Sequence, residues 1–242
     1  MKIANLAVLA LMGSASIASA QVVIPNAYAA TQAPGGNGLN TFIRDTANPR
    51  SGQLLIHANQ LGAAVGQQID GLTFRMYAAG TTFPATNATW ADYTINVGQG
   101  VAFGAQTTTF ASNFVGAPVN VRSGPLTINA GSFPGGAVSP TPNAFGTLIT
   151  FNTPYTYTGG NLLIEIRHTG SNIVNVATNF LESVALTDPG YNVNFWSATA
   201  TGAAATVGAQ NTFTVTQLHV VPAPGSLALL GIAGFGLVRR RR

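Results

Sequence analysis

The sequence predicts an all-β protein, an antiparallel β-sandwich flanked by an N-terminal signal helix and a C-terminal transmembrane helix. Three observations predict it. Short runs in the middle of the chain alternate apolar and polar residues with period two, as strands with one buried face do. Turn formers separate those runs. The two chain ends carry apolar segments of a different kind, each with a basic flank.

Taken in order, the chain opens on Met1-Lys2, a positive start, followed by the mostly apolar run Ile3 to Met12. Ala18-Ser19-Ala20 has the small-x-small form of a secretory cleavage site, so residues 1–20 read as a signal peptide cut after Ala20. Thr31 to Asn40, rich in glycine and asparagine, reads as a loop. Leu72, Phe74 and Met76 then alternate with Thr73, Arg75 and Tyr77, and Tyr93, Ile95 and Val97 with Asp92, Thr94 and Asn96. Thr147, Ile149 and Phe151 share one face. Leu162, Ile164 and Ile166 alternate with Leu163, Glu165 and Arg167, and Tyr191, Val193 and Phe195 with Asn192, Asn194 and Trp196. Phe213 and Val215 close the series. Turns are expected at Asp70-Gly71, Ser123-Gly124-Pro125, Pro134-Gly135-Gly136, Gly159-Gly160-Asn161 and Asp188-Pro189-Gly190. Gly131 to Asn143 reads as an extended connection and Ala198 to Gln210 as a loop of low complexity. Residues 21–219 thus form one exported domain, and short strands between such turns point to a sandwich. The stretch Phe151 to Arg167 resembles a hairpin of secreted jelly-roll-like domains, which makes the expected sandwich jelly-roll-like.

The tail, 220–242, is organised differently. Pro222 and Pro224 cannot continue a hydrogen-bonded helix and mark a boundary. Gly225 to Val238 is apolar or small throughout, and Arg239, Arg240, Arg241 and Arg242 end the chain. A helix over that run is roughly 21 Å long at about 1.5 Å per residue, short of a hydrocarbon core of about 30 Å. Snorkelling arginines and an extension into Val220 and Val221 close the gap. The arginines belong on the cytoplasmic side.

Proline motif, short apolar run and terminal arginine cluster together resemble the PEP-CTERM sorting signal of Gram-negative bacteria, also called the ice-binding-protein C-terminal domain. The resemblance covers about the last two dozen residues. It implies recognition by an exosortase, with Val221, Pro222, Ala223 and Pro224 as the sorting motif and Arg239 to Arg242 as the stop-transfer signal. Ala223 stands where the family usually carries glutamate. The implied route is export, anchoring in the inner membrane during sorting, then the cell surface or extracellular matrix.

Charge is misleading until these segments are set aside. The formal net charge is +4, but Lys2 and the four terminal arginines lie outside the domain. Between Gln21 and Val221 five arginines face six carboxylates, a net charge of −1. Nucleic-acid binding finds no support in such a body. Cysteine is absent, which removes disulfides, thiol nucleophiles and thiolate metal sites.

Chemistry is sparse. His57 and His168 have no metal-ligand spacing and read as strand-end histidines; His219 reads as part of a linker before the membrane segment. Ser132 lacks the neighbours of a nucleophile elbow, and paired carboxylates could meet only through long-range folding. No catalytic residue, metal or cofactor is assigned. Trp196 and Trp90, each placed opposite an apolar face, are the candidates for stacking on a sugar. The expected role is non-enzymatic, structural or adhesive, with exopolysaccharide as a partner. A carbohydrate-binding module and an unrecognised secreted hydrolase are the alternatives.

Overall fold

The computed structural model describes residues 19–38, 42–43, 48–78, 80–173 and 180–223. The signal segment through Ala18, and the tail from Pro224 to Arg242 with its apolar run and arginines, lie outside them. In chain order the strands are β1 (Ala20–Ile24), β2 (Gly35–Gly38), β3 (Arg50–Ile56), β4 (Gln68–Phe74), β5 (Ala88–Trp90), β6 (Tyr93–Gln99), β7 (Val119–Arg122) and β8 (Leu126–Ile128). There follow β9 (Ile149–Thr156), β10 (Leu162–His168), β11 (Leu181–Val184), β12 (Phe195–Thr201), β13 (Ala209–Gln210), β14 (Phe213–Thr214) and β15 (Thr216–Val221). The fold is all-β, as the alternation predicts. Helical structure among the described residues is limited to short 3₁₀ turns, and no helix among them is long and apolar enough to cross a membrane.

Two antiparallel sheets dominate. One has the order β1-β15-β4-β9, the other β13-β12-β3-β10-β6-β7; smaller sheets are β14-β11-β2 and β5-β8. One continuous core joins them. Leu54 and Ile56 of β3, Ile95 and Val97 of β6, and Ile164 and Ile166 of β10 bury their side chains in the same cluster as Leu72 and Phe74 of β4 and Leu218 and Val220 of β15. Phe42 stacks on Phe74 at 5.7 Å.

Several expectations need correction. Gly159-Gly160-Asn161 does not close a hairpin, because β9 and β10 lie in different sheets. The turn carries the chain across the layers, with Gly159 and Gly160 at φ of 108° and 81°, a region glycine enters without a Cβ clash. Asp70-Gly71 is no turn either. Pairing skips Asp70 on both flanks of β4, so it is the extra residue of a bulge that bends and re-aims the strand. Residues 191–194 form a turn with Val193 exposed, and the strand begins at Phe195. It continues through Ala198–Thr201, and Ala209–Gln210 pairs back on it as β13; both were expected to be loop. Gly35–Gly38 is likewise a strand. Most consequential, β15 runs through His219, Val220 and Val221 in ladder with β4. Val220 and Val221, expected in the tail, thus continue the ladder of His219.

Candidate functional site

The residues with sequence-predicted roles at the two ends meet in the fold. β1 and β15 are antiparallel neighbours, with Ala20 opposite Val220 and Ile24 opposite Thr216. The chain therefore enters and leaves the domain side by side. Ala20, the expected cleavage residue, is the first residue of the β1 ladder, and Val221, the first residue of the proline motif, is the last of the β15 ladder, opposite Gln68. Pro222 follows at once. Proline has no N–H to donate, so the strand stops at Val221.

The charged side chains of the domain are mostly consumed internally. Arg75 and Glu182 are both buried. The Arg75 Nε and Nη2 donate to the Glu182 carboxylate at 2.8 and 2.7 Å, Nη2 also donates to the carbonyls of Tyr28 and Thr31, and the Ala33 N–H donates to Glu182 Oε1. Phe145 lies 5.0 Å from the guanidinium carbon. This network fastens segment 28–33 across the β4 end. The strand alternation placed Arg75 on a wetter face; β11 and segment 28–33 cover that face, and Glu182 supplies the compensating charge. The sequence signal for such a pair is a lone charge inside an apolar run, F-R-M and L-E-S-V.

A second network lies on the outer face of the six-stranded sheet. Glu165 accepts from Arg167 Nε and Asn96 through Oε1, and from Gln53 and Arg167 Nη2 through Oε2. Gln53 also reaches the Phe110 carbonyl and accepts from Asn113; Arg167 Nη1 donates to the carbonyls of Ala203 and Ala205. Beside this network is a hollow of about 240 Å³, lined by Phe110, Phe114, Pro118, Glu165 and Arg167 among others. With four donors on one carboxylate, the acceptor sites of Glu165 are filled. Through Gln53 and Arg167 it helps hold the carbonyls of Phe110, Ala203 and Ala205 over the sheet.

That roof explains Trp196. Its side chain does point away from the core face shared by its neighbours, pairing in register with Leu55, but a Cβ on Gly100 of the covering loop would run into Leu55. Trp196 is 3% exposed and Trp90 1%. Trp90 lies edge-on to Tyr93 and His168, at 6.0 and 6.4 Å. Neither ring offers a face to solvent, so the expected glycan-stacking pair is corrected to two core residues.

His57 accepts from the Asn59 N–H and sits 5.4 Å from the Phe103 ring; His168 is buried, stacks on Tyr93 and accepts from the Gly170 N–H. His219, expected in a linker, lies on β15 with Nδ1 2.5 Å from Asp70 Oδ1, both half-buried. The bulge in β4 brings Asp70 to it. Gln21 is its register partner on β1, and Gln217 donates to Gln21 at 3.0 Å, so amides flank the pair on that side. Among the described residues no three His, Asp or Glu side chains gather as a metal would require. Burial, then a hydrogen bond to Asp188 at 2.5 Å, pushes the Tyr28 phenol up to about 12, and burial pushes Tyr191 up to about 12 against hydrogen bonds that lower it. Compared with known proteins, the chain matches no family model, no curated protein and no solved structure.

Proposed function

We propose that this chain is an exported protein of the bacterial cell envelope or extracellular matrix, with a structural or adhesive role. The stretch from Val221 is its exosortase-type sorting tail of the PEP-CTERM kind, spanning the inner membrane as a helix until processing. The domain is a jelly-roll-like sandwich. The observation that carries the reading is the order of the tail, prolines then a 14-residue apolar run then four arginines, beginning at the residue where β15 stops. The outer face of the four-stranded sheet supports it. Gln21, Gln68, Gln217, Thr150 and Asn152 give that face amides and hydroxyls, groups that hydrogen-bond neutral polysaccharide. Export is tested by deleting Pro222 to Arg242 in a host that has an exosortase and fractionating the cells. The truncated chain should leave the envelope fraction; full retention there rejects the reading.

A further inference from the structure

We propose that the pole of the domain at which β1 begins and β15 ends is the surface it presents to a phospholipid bilayer. The inference rests on the sorting-tail reading and adds an orientation to it. The exits of the chain define the pole: Ala20 pairs with Val220, and Val221 with Gln68. Gln68 in turn pairs with Thr156 of β9. The 65–67 turn joins the pole through the Gly66 N–H on the Tyr157 carbonyl and the Tyr157 N–H on the Gln67 carbonyl. In the other sheet the same end is marked by Ile56, Leu162 and Gln99 in one row. The 190–194 turn reaches it, since His57 N–H donates to Asn194.

Charged side chains are sparse at this pole. Residues 51–69, 93–121, 151–164 and 189–223 contain no Asp, Glu, Lys or Arg. The charges of the six-stranded sheet lie toward its other end, where Arg50, His168 and Tyr93 share a row and Arg122 pairs with Ile95. The carboxylates on this side are partnered: Asp70 with His219, and Asp188, just before the 190–194 turn, with the Gly190 N–H and the Tyr28 hydroxyl. Three valines are exposed at the pole instead: Val65 at 54%, Val193 at 56%, and Val115 at 52%, whose N–H is held by Gln99. A face whose few carboxylates are already partnered loses little ion hydration when pressed against headgroups, and its apolar tips gain by entering the interface.

Tether length gives the second argument. From Val221 to Gly225, where the apolar run starts, the chain spans four residues, at most about 14 Å when extended. A pole tied that closely to a membrane-inserted segment stays at the headgroups. The opposite end is farther out: from Gln68 to Met76 is eight residues, roughly 26 Å of strand, and Asn143 ties the 137–143 connection to Met76 and Tyr77 there. Val138 in that connection is 80% exposed.

Because the chain has no cysteine, single labels are direct. Full-length Val65→Cys, Thr158→Cys and Val138→Cys are each labelled with a small fluorophore and reconstituted in phosphatidylcholine vesicles containing headgroup-nitroxide phosphatidylcholine. Labels at 65 and 158 should be quenched severalfold more than the label at 138. Equal quenching at all three positions, or the strongest at 138, overturns the orientation while leaving the tail reading intact. A full-length chain that does not float with the vesicles overturns both.

Discussion

Glu182 and Arg75 are separated by 107 positions and satisfied only by protein groups. Removing one partner strands the other as a buried ion. Glu182→Ala should therefore cost about 3–5 kcal/mol, the range for breaking a buried pair, read as a lower urea midpoint. A change under about 1 kcal/mol, the range of exposed pairs, would show that water reaches the guanidinium. Two phenols make a pH prediction. Tyr28 and Tyr191 are raised to about 12 against about 10 in an unfolded chain. A group with a raised folded pKa contributes stability that is complete below the unfolded value and disappears as pH rises through the folded one. The domain should hold full stability up to about pH 10 and lose this share between about pH 10 and 12. Tyrosinate absorbance followed alongside near-ultraviolet circular dichroism checks this. Two phenols ionising near pH 10 with no loss of tertiary signal would refute it.

At the scale of elements, Trp196 is the informative side chain. It lies under the loop that crosses the outer face of the six-stranded sheet, so Trp196→Ala should destabilise by about 3–5 kcal/mol as a large-to-small core change. Chemical denaturation measures it; a loss under about 1 kcal/mol would place the ring at the surface. The same loop marks the limit of what the sequence discloses. β6 and β10 are legible because Ile95, Val97, Ile164 and Ile166 fall on one face with period two. That pattern reports a strand's inner face alone. Whether Glu165 or Trp196, on the outer face, meets water or a roof depends on residues 100–118 and 203–208, remote in sequence. β2 and the end of β12 escape notice because glycine, alanine and threonine carry little hydrophobic contrast; their pairing comes from neighbours in the sheet, not from their own composition. Asp70-Gly71 has turn chemistry, yet sheet pairing on both sides of β4 turns it into a bulge.

For the whole molecule, the decisive placement is β15 between β1 and β4. A chain ending at Ala223 keeps every ladder residue of β15 and should fold with an unchanged thermal midpoint. A chain ending at Gln217 retains Thr216 and Gln217 of that strand and separates β1 from β4; it should lose cooperative unfolding. Differential scanning calorimetry of the two truncations decides the matter, and equal midpoints would mean that the four-stranded sheet closes without its second strand. The apolar runs and basic flanks of the two ends are legible because they are local, whereas the contact between Ala20 and Val220 joins opposite ends of the domain.

This placement also imposes a timetable. Gln21 and Gln217, hydrogen-bonded neighbours, are 196 positions apart, and synthesis delivers the first of them long before the second. β1 and β4, each of which pairs with β15, must wait for that partner until nearly the whole polypeptide has been made. Long-range pairing of this sort is slow, and open strand edges aggregate in the interval. The four-stranded sheet thus stays open until its final strand emerges, and Pro222 follows directly behind that strand. If Pro222 opens a sorting tail, as proposed, the enzyme that engages it would meet a polypeptide whose last structural piece has just arrived.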